Sequence, residues 1–497
     1  MILRKMILSF LSAWVAGLLF SCSSPDKPGN GGGTNPPAEG KGDVTIYVTT
    51  NDRSYDFKKT TVNYSDKSNM SPTTITLNRN QRYQTIDGFG AAITGSTAYN
   101  LLKMKQADRT KFLTETFSPI DGMGYSYVRV PIGCSDFSLS EYTCWDNQAA
   151  GFSLTNEENN YVIPVLKEIL AINPNLKVLG SPWTCPIWMK NQDDDGNPWN
   201  GGTLKTQYYT DYAGYFVKWI QAFKQNGVTI YSITPQNEPL NRGNSASLFM
   251  SWQEQRDFVR DALLPQLKAA GLSTKIYLFD HNYNYDNMTD QYEYPVKIYD
   301  AGVTDSQVAG AAYHDYGGNK DELLKIHNKY PNKELIFTET SIGTWNDGRN
   351  LAARLLPDME NIALGTVNNW CKAVIVWNLM LDTDGAPNRP GGCTTCYGAV
   401  DISKSNYSTI TRNSHYYIIG HLASVVKPGA TRIGTSGYTA NGLTYAAFEN
   451  IDGLALVLVN NTSETKKITI DDTSHHFLYE IPAYAVVSYR WGGVSTD

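Results

Sequence analysis

The chain has 497 residues, of which 41% are hydrophobic and 12% aromatic, so it can bury a large core and is long enough for two domains. Its formal net charge is −6, with 42 Lys and Arg residues against 48 Asp and Glu residues. This balance argues against a polyanionic partner such as nucleic acid or an anionic membrane surface, and it favours a neutral ligand.

Residues 1–21 have the pattern of an export signal. Arg4 and Lys5 precede an apolar run, residues 6–20, that is too short to span a bilayer comfortably. Cys22 follows at once, where a bacterial lipoprotein signal carries the cysteine that becomes lipidated. Plain secretion with an incidental cysteine is the alternative. We expect an exported bacterial lipoprotein, at the cell surface or in the periplasm, that meets the membrane only through its lipid anchor.

Residues 22–42 are rich in Gly, Pro and Ser without apolar periodicity, which is typical of a flexible linker. Residues 43–80 then carry short alternating stretches that predict strands. Residues 426–497 return to the same alternating pattern. The simplest interpretation is one β-sandwich built from both segments, with a supporting role or a carbohydrate-binding role.

Residues 81–425 alternate short apolar strands with longer amphipathic segments, the pattern of βα units around a parallel sheet. Helices are predicted at residues 208–225, 252–270 and 351–370. Eight repeats favour a closed (β/α)8 barrel over an open sheet. The eight predicted strands are residues 86–93, 125–132, 176–180, 228–234, 275–280, 308–314, 334–338 and 373–379.

Six cysteines besides Cys22 allow up to three disulfides in an oxidising compartment, without fixing their pairing. Cys393 and Cys396 have the spacing of half a zinc knuckle, but no second pair of ligands follows. A loop disulfide or two free thiols are therefore favoured over a metal, and no metal or other cofactor is expected. The sequence does not specify an oligomeric state, and a monomer is the starting expectation.

In such a barrel the active site lies at the carboxyl ends of the strands, and polar and aromatic residues punctuate these ends here. Glu238 and Glu339 would face each other if they end strands four and seven. Glycoside hydrolysis needs such a pair, about 5 Å apart for retention and roughly 6.5 to 9.5 Å for inversion. Arg129 and Tyr316 would favour the ionised form of Glu339, and Asn237 would bind the sugar 2-hydroxyl.

Several segments in this order resemble glycoside hydrolase family 30, from about residue 81 to the C-terminus. They are GFGAA (88–92), RVPIG (129–133) with SDF (135–137), GSPW (180–183) with PIWMK (186–190), TPQNEP (234–239), HDY (314–316), FTET (337–340), WNL (377–379) and GH (420–421).

The resemblance implies a barrel with a side β-domain, retention of configuration and no metal, with Glu238 as acid/base and Glu339 as nucleophile. It also implies a subsite for the non-reducing sugar lined by Arg129, Asp136, Trp183, Asn237, His314, Tyr316 and Trp377. Two departures stand out: GAAITG (90–95), where many members read Gly-Gly-Ala followed by Thr-Asp, and Cys185, where a small residue or proline is usual.

Within the family the sequence is most similar to glucosylceramidases and β-1,6-glucanases. The leading hypothesis is an endo-β-1,6-glucanase, because a tethered lipoprotein suits polysaccharide capture. An exo-acting β-glucosidase or glucosylceramidase is the alternative, since the loops at 193–202 and 386–396 could shape either a cleft or a blind pocket. A catalytically inactive glycan-binding lipoprotein is a second alternative, which the retention of both glutamates disfavours.

Overall fold

The structure is a computed structural model that describes residues 42–66, 70–193 and 196–492. The predicted signal, Cys22 and the linker up to residue 41 lie outside the described residues. No helix within these three ranges combines the length and apolar character needed to cross a membrane.

The strands, in chain order, are β1 (Val44–Thr50), β2 (Lys58–Val62), β3 (Thr74–Thr85), β4 (Gly88–Ala92), β5 (Tyr127–Ile132), β6 (Lys177–Pro182), β7 (Lys190–Asn191), β8 (Thr203–Leu204), β9 (Ser232–Ile233), β10 (Lys275–Asn282), β11 (Val308–His314), β12 (Glu334–Glu339), β13 (Ile342–Gly343), β14 (Cys371–Asn378), β15 (Met380–Asp382), β16 (Cys396–Tyr397), β17 (Val400–Ile402), β18 (Ile410–Arg412), β19 (Thr431–Gly437), β20 (Leu443–Asn450), β21 (Gly453–Asn460), β22 (Lys466–Asp471), β23 (His476–Ile481) and β24 (Ala485–Trp491). The α-helices are α1 (Gly95–Lys103), α2 (Gln106–Phe117), α3 (Ile163–Ile172), α4 (Tyr209–Gln225), α5 (Trp252–Phe258), α6 (Leu264–Ala269), α7 (Tyr294–Asp300), α8 (Asp321–Lys329), α9 (Leu351–Asp358), α10 (Leu364–Asn368) and α11 (Ser414–Val425).

Eight parallel strands close into the predicted barrel, in the order β4, β5, β6, β9, β10, β11, β12 and β14. Their side chains alternate between two cores, as a barrel strand requires. Tyr127 and Leu179 belong to a cluster that also holds Tyr277 of β10, whereas Val128 and Val178 pack with the surrounding helices. The fourth strand is shorter than predicted: Val228, Ile230 and Ile233 of the run 228–234 are buried, but only Ser232 and Ile233 join the ladder.

Three π-helical turns, at Glu158–Val162, Val259–Leu263 and Met359–Ala363, interrupt the helices around the barrel. Each lies beside a proline in the neighbouring helical segment: Pro164, Pro265 or Pro357. A proline has no backbone N–H to donate, so a local change of helical pitch absorbs the missing hydrogen bond. The predicted helices at 252–270 and 351–370 are therefore each divided.

The side domain is a nine-stranded sheet, ordered β2, β1, β24, β21, β20, β19, β3, β22 and β23. It unites the N-terminal and C-terminal segments, because β1 pairs along its length with β24. Leu454, Leu456 and Leu458 of β21 face the core of this domain, while the alternate residues pack toward the barrel. The sheet is thus buried on both faces, which confirms the predicted side β-sandwich. Helix α11, entirely buried, fills the space between the two domains.

Cys393 and Cys396 form a disulfide in the segment that connects β15 to β16. Of the two alternatives for this pair, the disulfide is the one observed. Cys134, Cys144, Cys185 and Cys371 are free thiols, and all four are buried. In the first loop of the barrel, where GAAITG departs from the resemblance, the Thr94 side chain accepts a hydrogen bond from the Thr97 amide and caps α1.

Candidate active site

The two predicted glutamates meet at the carboxyl end of the barrel. Glu238 lies just beyond β9 and Glu339 is the last residue of β12. Both are nearly buried, with 5% and 6% of their surface exposed. A carboxylate oxygen of each lies within 4.8 Å of the other and of a ring nitrogen of His314. This spacing matches the separation required for retention rather than inversion.

Glu339 is held by two donors. Arg129 Nη1 donates to its Oε2 at 2.5 Å, and the hydroxyl of Tyr316 donates to its Oε1 at 2.9 Å. Burial raises the pKa of Glu339 above its usual range, and the positive charges of His314 and Arg129 counteract that rise. The two donors therefore fix the orientation of the carboxylate and offset part of the cost of burying its charge, as a nucleophile needs.

Glu238 lies in a different environment. Its Oε1 is 3.2 Å from His314 Nδ1, and its Oε2 accepts hydrogen bonds from the side-chain amides of Asn241 and Asn244 at 2.8 and 3.0 Å. Burial opposes the charged form of Glu238, but the hydrogen bond and charge of His314 outweigh it and lower the pKa of Glu238 to about 2. The amides hold the oxygen that does not face His314.

His314 bridges Glu238 and a second buried carboxylate, Asp280, whose Oδ1 lies 3.0 Å from its Nε2. Burial disfavours the imidazolium, but the carboxylates of Glu339 and Asp280 outweigh that penalty and raise the pKa of His314 to about 9. At neutral pH the His314–Glu238 pair therefore holds one titratable proton. The hydrogen bond between the two side chains lets this proton move from His314 to Glu238.

Asp280 is the residue that the sequence-based site prediction missed. It is completely buried and takes part in hydrogen bonds with Arg129, His314, Ser181, Thr234 and Thr338. Arg129 and His314 overcome the effect of burial and hold the pKa of Asp280 well below its usual range. The one signal in the sequence was its place at the end of the predicted fifth strand.

The backbone is strained at these carboxylates. Glu238 has a φ of 45° and Asp280 a φ of 72°, in the left-handed region that non-glycine residues rarely occupy. The amide of Glu238 donates to the carbonyl of Asp280 at 2.9 Å, which joins the two strained positions. Such strain concentrates at functional sites, where the surrounding structure enforces a geometry that chemistry requires.

The remaining predicted residues complete the same site. Trp183 and Trp377 stack with ring centroids 5.2 Å apart, and the guanidinium of Arg129 lies 4.8 and 5.6 Å from those centroids. Arg129 also donates to Asn237 Oδ1 at 2.6 Å. Both tryptophans are almost fully buried and pack against the guanidinium of Arg129. Tyr316 and Trp345 are exposed aromatic residues at this end.

Asp136 lies on the loop after β5 and faces the two glutamates. Burial and the negative charges of Glu339 and Glu238 raise the pKa of Asp136 to about 8. A carboxyl group that keeps its proton at neutral pH can both donate to and accept from a sugar hydroxyl. All nine residues predicted for catalysis and sugar binding therefore lie at one end of the barrel.

Within the described residues, one group of acidic and histidine side chains is close enough to hold a metal ion: Glu238, His314 and Glu339. Each already has partners. His314 contacts a carboxylate through both ring nitrogens, and Arg129 donates to Glu339. A cation here would compete with Arg129 and with the proton shared by His314 and Glu238, so we assign no metal to this group.

Comparisons with known proteins agree with this geometry. Residues 86–426 match the model of the glycosyl hydrolase family 30 TIM-barrel domain, and residues 429–489 match that of the family 30 beta sandwich domain. An endo-1,6-beta-D-glucanase of Trichoderma harzianum is 35% identical over 406 residues, covering 76% of this chain and 78% of the relative. The lysosomal acid glucosylceramidase of Mus musculus is 27% identical over 456 residues, covering 84% and 83%. A solved endo-beta1,6-glucanase structure superposes with a TM-score of 0.88 at 63% identity, over 91% of this chain and 100% of that one.

Proposed function

The chain belongs to glycosyl hydrolase family 30, and from this premise we propose that it is an endo-β-1,6-glucanase that retains anomeric configuration, with Glu339 as nucleophile and Glu238 as acid/base. The observation that carries the proposal is the pair of carboxylates within 4.8 Å at the ends of β9 and β12. Their surroundings assign the roles: Glu339 has the guanidinium of Arg129, and Glu238 shares a proton with His314.

In the first step a carboxylate oxygen of Glu339 attacks the anomeric carbon, and the bond from that carbon to the glycosidic oxygen breaks. The glycosidic oxygen takes the electron pair of that bond and the proton of Glu238, and it leaves as a free hydroxyl. A glycosyl ester on Glu339 remains. The proton comes from the His314–Glu238 pair and passes through Glu238 to the glycosidic oxygen, so this step ends with His314 neutral and Glu238 ionised.

In the second step water attacks the anomeric carbon from the side the leaving group vacated. Glu238 takes a proton from the water as general base, and the ester bond to Glu339 breaks. Two inversions at the same carbon give net retention. Arg129 stabilises the carboxylate as it leaves, because its guanidinium already lies 2.5 Å from Glu339 in the resting site.

The linkage proposal is supported by relatives. The Trichoderma protein and the solved structure both carry the name endo-β-1,6-glucanase, and both cover most of the chain. An exo-acting glucosylceramidase activity is the competing candidate, supported by the similarity to the mouse enzyme at lower identity. The polar wall of the pocket, with Asp136 and Asn237 facing the glutamates, fits a glucosyl unit in either case.

We also propose that the protein is an exported lipoprotein anchored through Cys22, with residues 23–42 as a tether that lets the barrel reach polysaccharide near the membrane. The support is the apolar run that ends next to this cysteine. Metabolic labelling with a palmitate analogue tests it: the intact chain should incorporate the label, and C22A should not. A labelled C22A chain, or an unlabelled parent chain recovered in the soluble fraction, contradicts the proposal.

The test of the activity is product chromatography after incubation with linear β-1,6-glucan, with E238Q and E339Q as controls. A ladder of gluco-oligosaccharides that disappears in both variants is expected. Glucose as the sole product would instead support the exo-acting candidate. An undigested glucan together with cleavage of an aryl β-glucoside would contradict the linkage while keeping the catalytic pair.

A further inference from the structure

The segment between β15 and β16, residues 383–395, crosses the mouth of the barrel. At one end it is tied to the nucleophile's side, because β16 pairs with β13 and the Thr344 amide donates to Thr395 O at 3.0 Å. The disulfide between Cys393 and Cys396 closes the same end. We call residues 383–395 the bridging loop, since it also contacts the loops that follow the second and fourth barrel strands.

Arg389 makes those contacts from the middle of the bridging loop. Its side chain is fully buried although it carries a permanent charge. Nε donates to Ser135 O at 2.7 Å, Nη1 to a carboxylate oxygen of Glu141 at 2.8 Å, and Nη2 to Ser245 Oγ at 3.0 Å. The rigid fork of one guanidinium thus fixes the distance between the loop after β5 and the loop after β9.

Arg389 bonds Ser135 and Ser245, and each of these serines is next in sequence to a residue of the proposed sugar site or of its support. Ser135 precedes Asp136, whose carbonyl also accepts the backbone N–H of Arg389 at 3.4 Å. Ser245 follows Asn244, whose amide donates to Glu238. Gly392 packs so closely that a Cβ there would lie 2.3 Å from the carbonyl oxygen of Asp136. The bridging loop therefore packs against the backbone of Asp136. It also fixes the loop after β9, whose Asn244 donates to Glu238.

We propose that Arg389 is a positioning residue for the glycosidase reaction: it sets the position of Asp136 relative to Glu238 so that one sugar ring contacts both at once. This inference rests on the proposed glycosidase activity but assigns a role to a residue outside the sugar-binding motifs. Arg389 acts through Asp136 and Asn244 and does not itself touch the reacting atoms.

The charge of Arg389 provides a second effect on the same residue. Burial raises the pKa of Asp136, the negative charges of Glu339 and Glu238 raise it further, and the positive charge of Arg389 lowers it. A neutral residue at position 389 would therefore raise the pKa of Asp136 further. A purely structural role of Arg389 would affect the stability of the fold without coupling to the titration of one carboxyl group.

A double-mutant cycle tests the proposal with kcat/KM on an aryl β-glucoside, comparing the parent chain, R389M, D136N and the double variant. We expect R389M to lower kcat/KM by roughly 10- to 100-fold in the parent chain and by less than about threefold in D136N, because contacting residues are not additive. An equal factor in both backgrounds, or no loss in R389M, would overturn it. An inactive parent chain would instead refute the proposed activity.

Three further variants keep the cycle interpretable if R389M folds poorly. R389K keeps the charge and should recover part of the activity. E141Q removes the ion pair but leaves the bonds to Ser135 and Ser245, so its kcat/KM should stay near the parent value. R109M is the remote control, because Arg109 likewise bonds a carboxylate, Glu168, and a backbone carbonyl. It should lower the unfolding temperature and leave kcat/KM unchanged; a loss of activity in E141Q or R109M equal to that in R389M would contradict a positioning role.

A titration by carbon NMR of aspartate carboxyl groups gives the second readout, with D136N identifying the resonance. The midpoint for Asp136 should lie well above the ordinary range in the parent chain, where its pKa is raised to about 8, and higher still in R389M. R389K should leave it near the parent value. An unchanged midpoint in R389M would show that Arg389 exerts no charge effect on Asp136 and would count against the proposal.

Discussion

The two ends of the barrel both contain buried ionised groups, but they balance charge differently. At the amino end, Lys177 and Lys372 lie beside Asp87, and Lys275 and Lys372 contact Glu334. Among the described residues at the carboxyl end, the three carboxylates of Glu238, Asp280 and Glu339 contact only two cations, Arg129 and His314. Cations are in excess at one end and carboxylates at the other.

The pKa values follow from this difference. Lys372, Tyr277 and Lys275 overcome the effect of burial and lower the pKa of Glu334 to about 2, which is the behaviour of a structural ion pair. At the opposite end burial, together with neighbouring carboxylates, raises the pKa of Asp136 to about 8 and also raises that of Glu339. His314 and Arg129 hold the pKa values of Glu238 and Asp280 low. Surplus negative charge in an enclosed site keeps protons there, and a glycosidase needs a retained proton beside an ionised nucleophile.

Replacing the catalytic carboxylates should give the largest effect. E238Q is expected to lower kcat on β-1,6-glucan by roughly 10²- to 10⁴-fold, the usual contribution of general acid–base catalysis. E339Q should abolish turnover because no glycosyl ester can form. Thermal unfolding should show no loss of stability in E339Q, because the raised pKa of Glu339 means that the folded site disfavours its charge. A strongly destabilised E339Q would mean that Glu339 stabilises the fold as a structural ion pair, as Glu334 does at the amino end, and would contradict the proposed excess of carboxylates.

The pH dependence of kcat/KM should be bell-shaped, and both limbs should reflect the titration of groups at the carboxyl end of the barrel. Activity falls on the acidic side as Glu339 takes a proton, at a pH above the ordinary glutamate pKa because burial raises it. It falls on the basic side near pH 9, where the His314–Glu238 pair loses its proton. Initial rates on an aryl β-glucoside from pH 4 to 10 measure both limbs. An acidic limb below pH 4 contradicts the raised pKa of Glu339.

Removing a charge at the amino end should have the opposite signature. E334Q leaves Lys275 and Lys372 without their shared partner, so the free energy of unfolding should fall by about 2 kcal/mol, below the usual range for a fully buried pair because Glu334 is partly exposed. The value of kcat should not change. Urea denaturation and initial rates measure the two quantities, and a fall in kcat without a fall in stability would refute the division between the ends.

The smallest and best matched comparison uses one hydroxyl at each end. Tyr316 donates to Glu339 at 2.9 Å, and Tyr277 donates to Glu334 at 2.5 Å. A hydrogen bond to a charged group contributes about 1.5–3 kcal/mol. Y316F should therefore lower kcat/KM by roughly tenfold and move the acidic limb to higher pH. Y277F should lower the unfolding temperature alone; if both variants lose activity, the amino end also serves catalysis.

The sequence predicted those parts of the fold that follow from a regular pattern of apolar residues along the chain. Eight apolar runs at regular intervals specify the barrel, and the alternating runs at both ends of the chain specify the sheet that joins them. What it missed depends on details of backbone geometry: the fourth strand shrinks to Ser232–Ile233, and prolines divide two helices with π-helical turns. Neither outcome changes the pattern of apolar residues, so periodicity could not reveal it.

For the site, the motifs predicted nine residues that the structure brings together at the carboxyl end of the barrel, while the residues packed behind them were missed. Asp280 lies at a strand end among other polar residues, and the residues next to it in sequence do not indicate that five side chains bond to it. Arg389 lies 253 positions after Asp136 in the chain and acts only because the bridging loop returns across the mouth. Buried polar networks join residues distant in sequence, so their membership is a property of the folded chain.

The role of Glu339 as nucleophile is most directly tested by trapping the glycosyl ester. The chain is incubated with an activated 2-deoxy-2-fluoro-β-glucoside, which slows the second step more than the release of a good leaving group, and the peptides are analysed by mass spectrometry. One fluoroglucosyl unit attached to Glu339 is the predicted result. A unit attached to Glu238, or an active chain that forms no adduct and releases the inverted anomer, would contradict it.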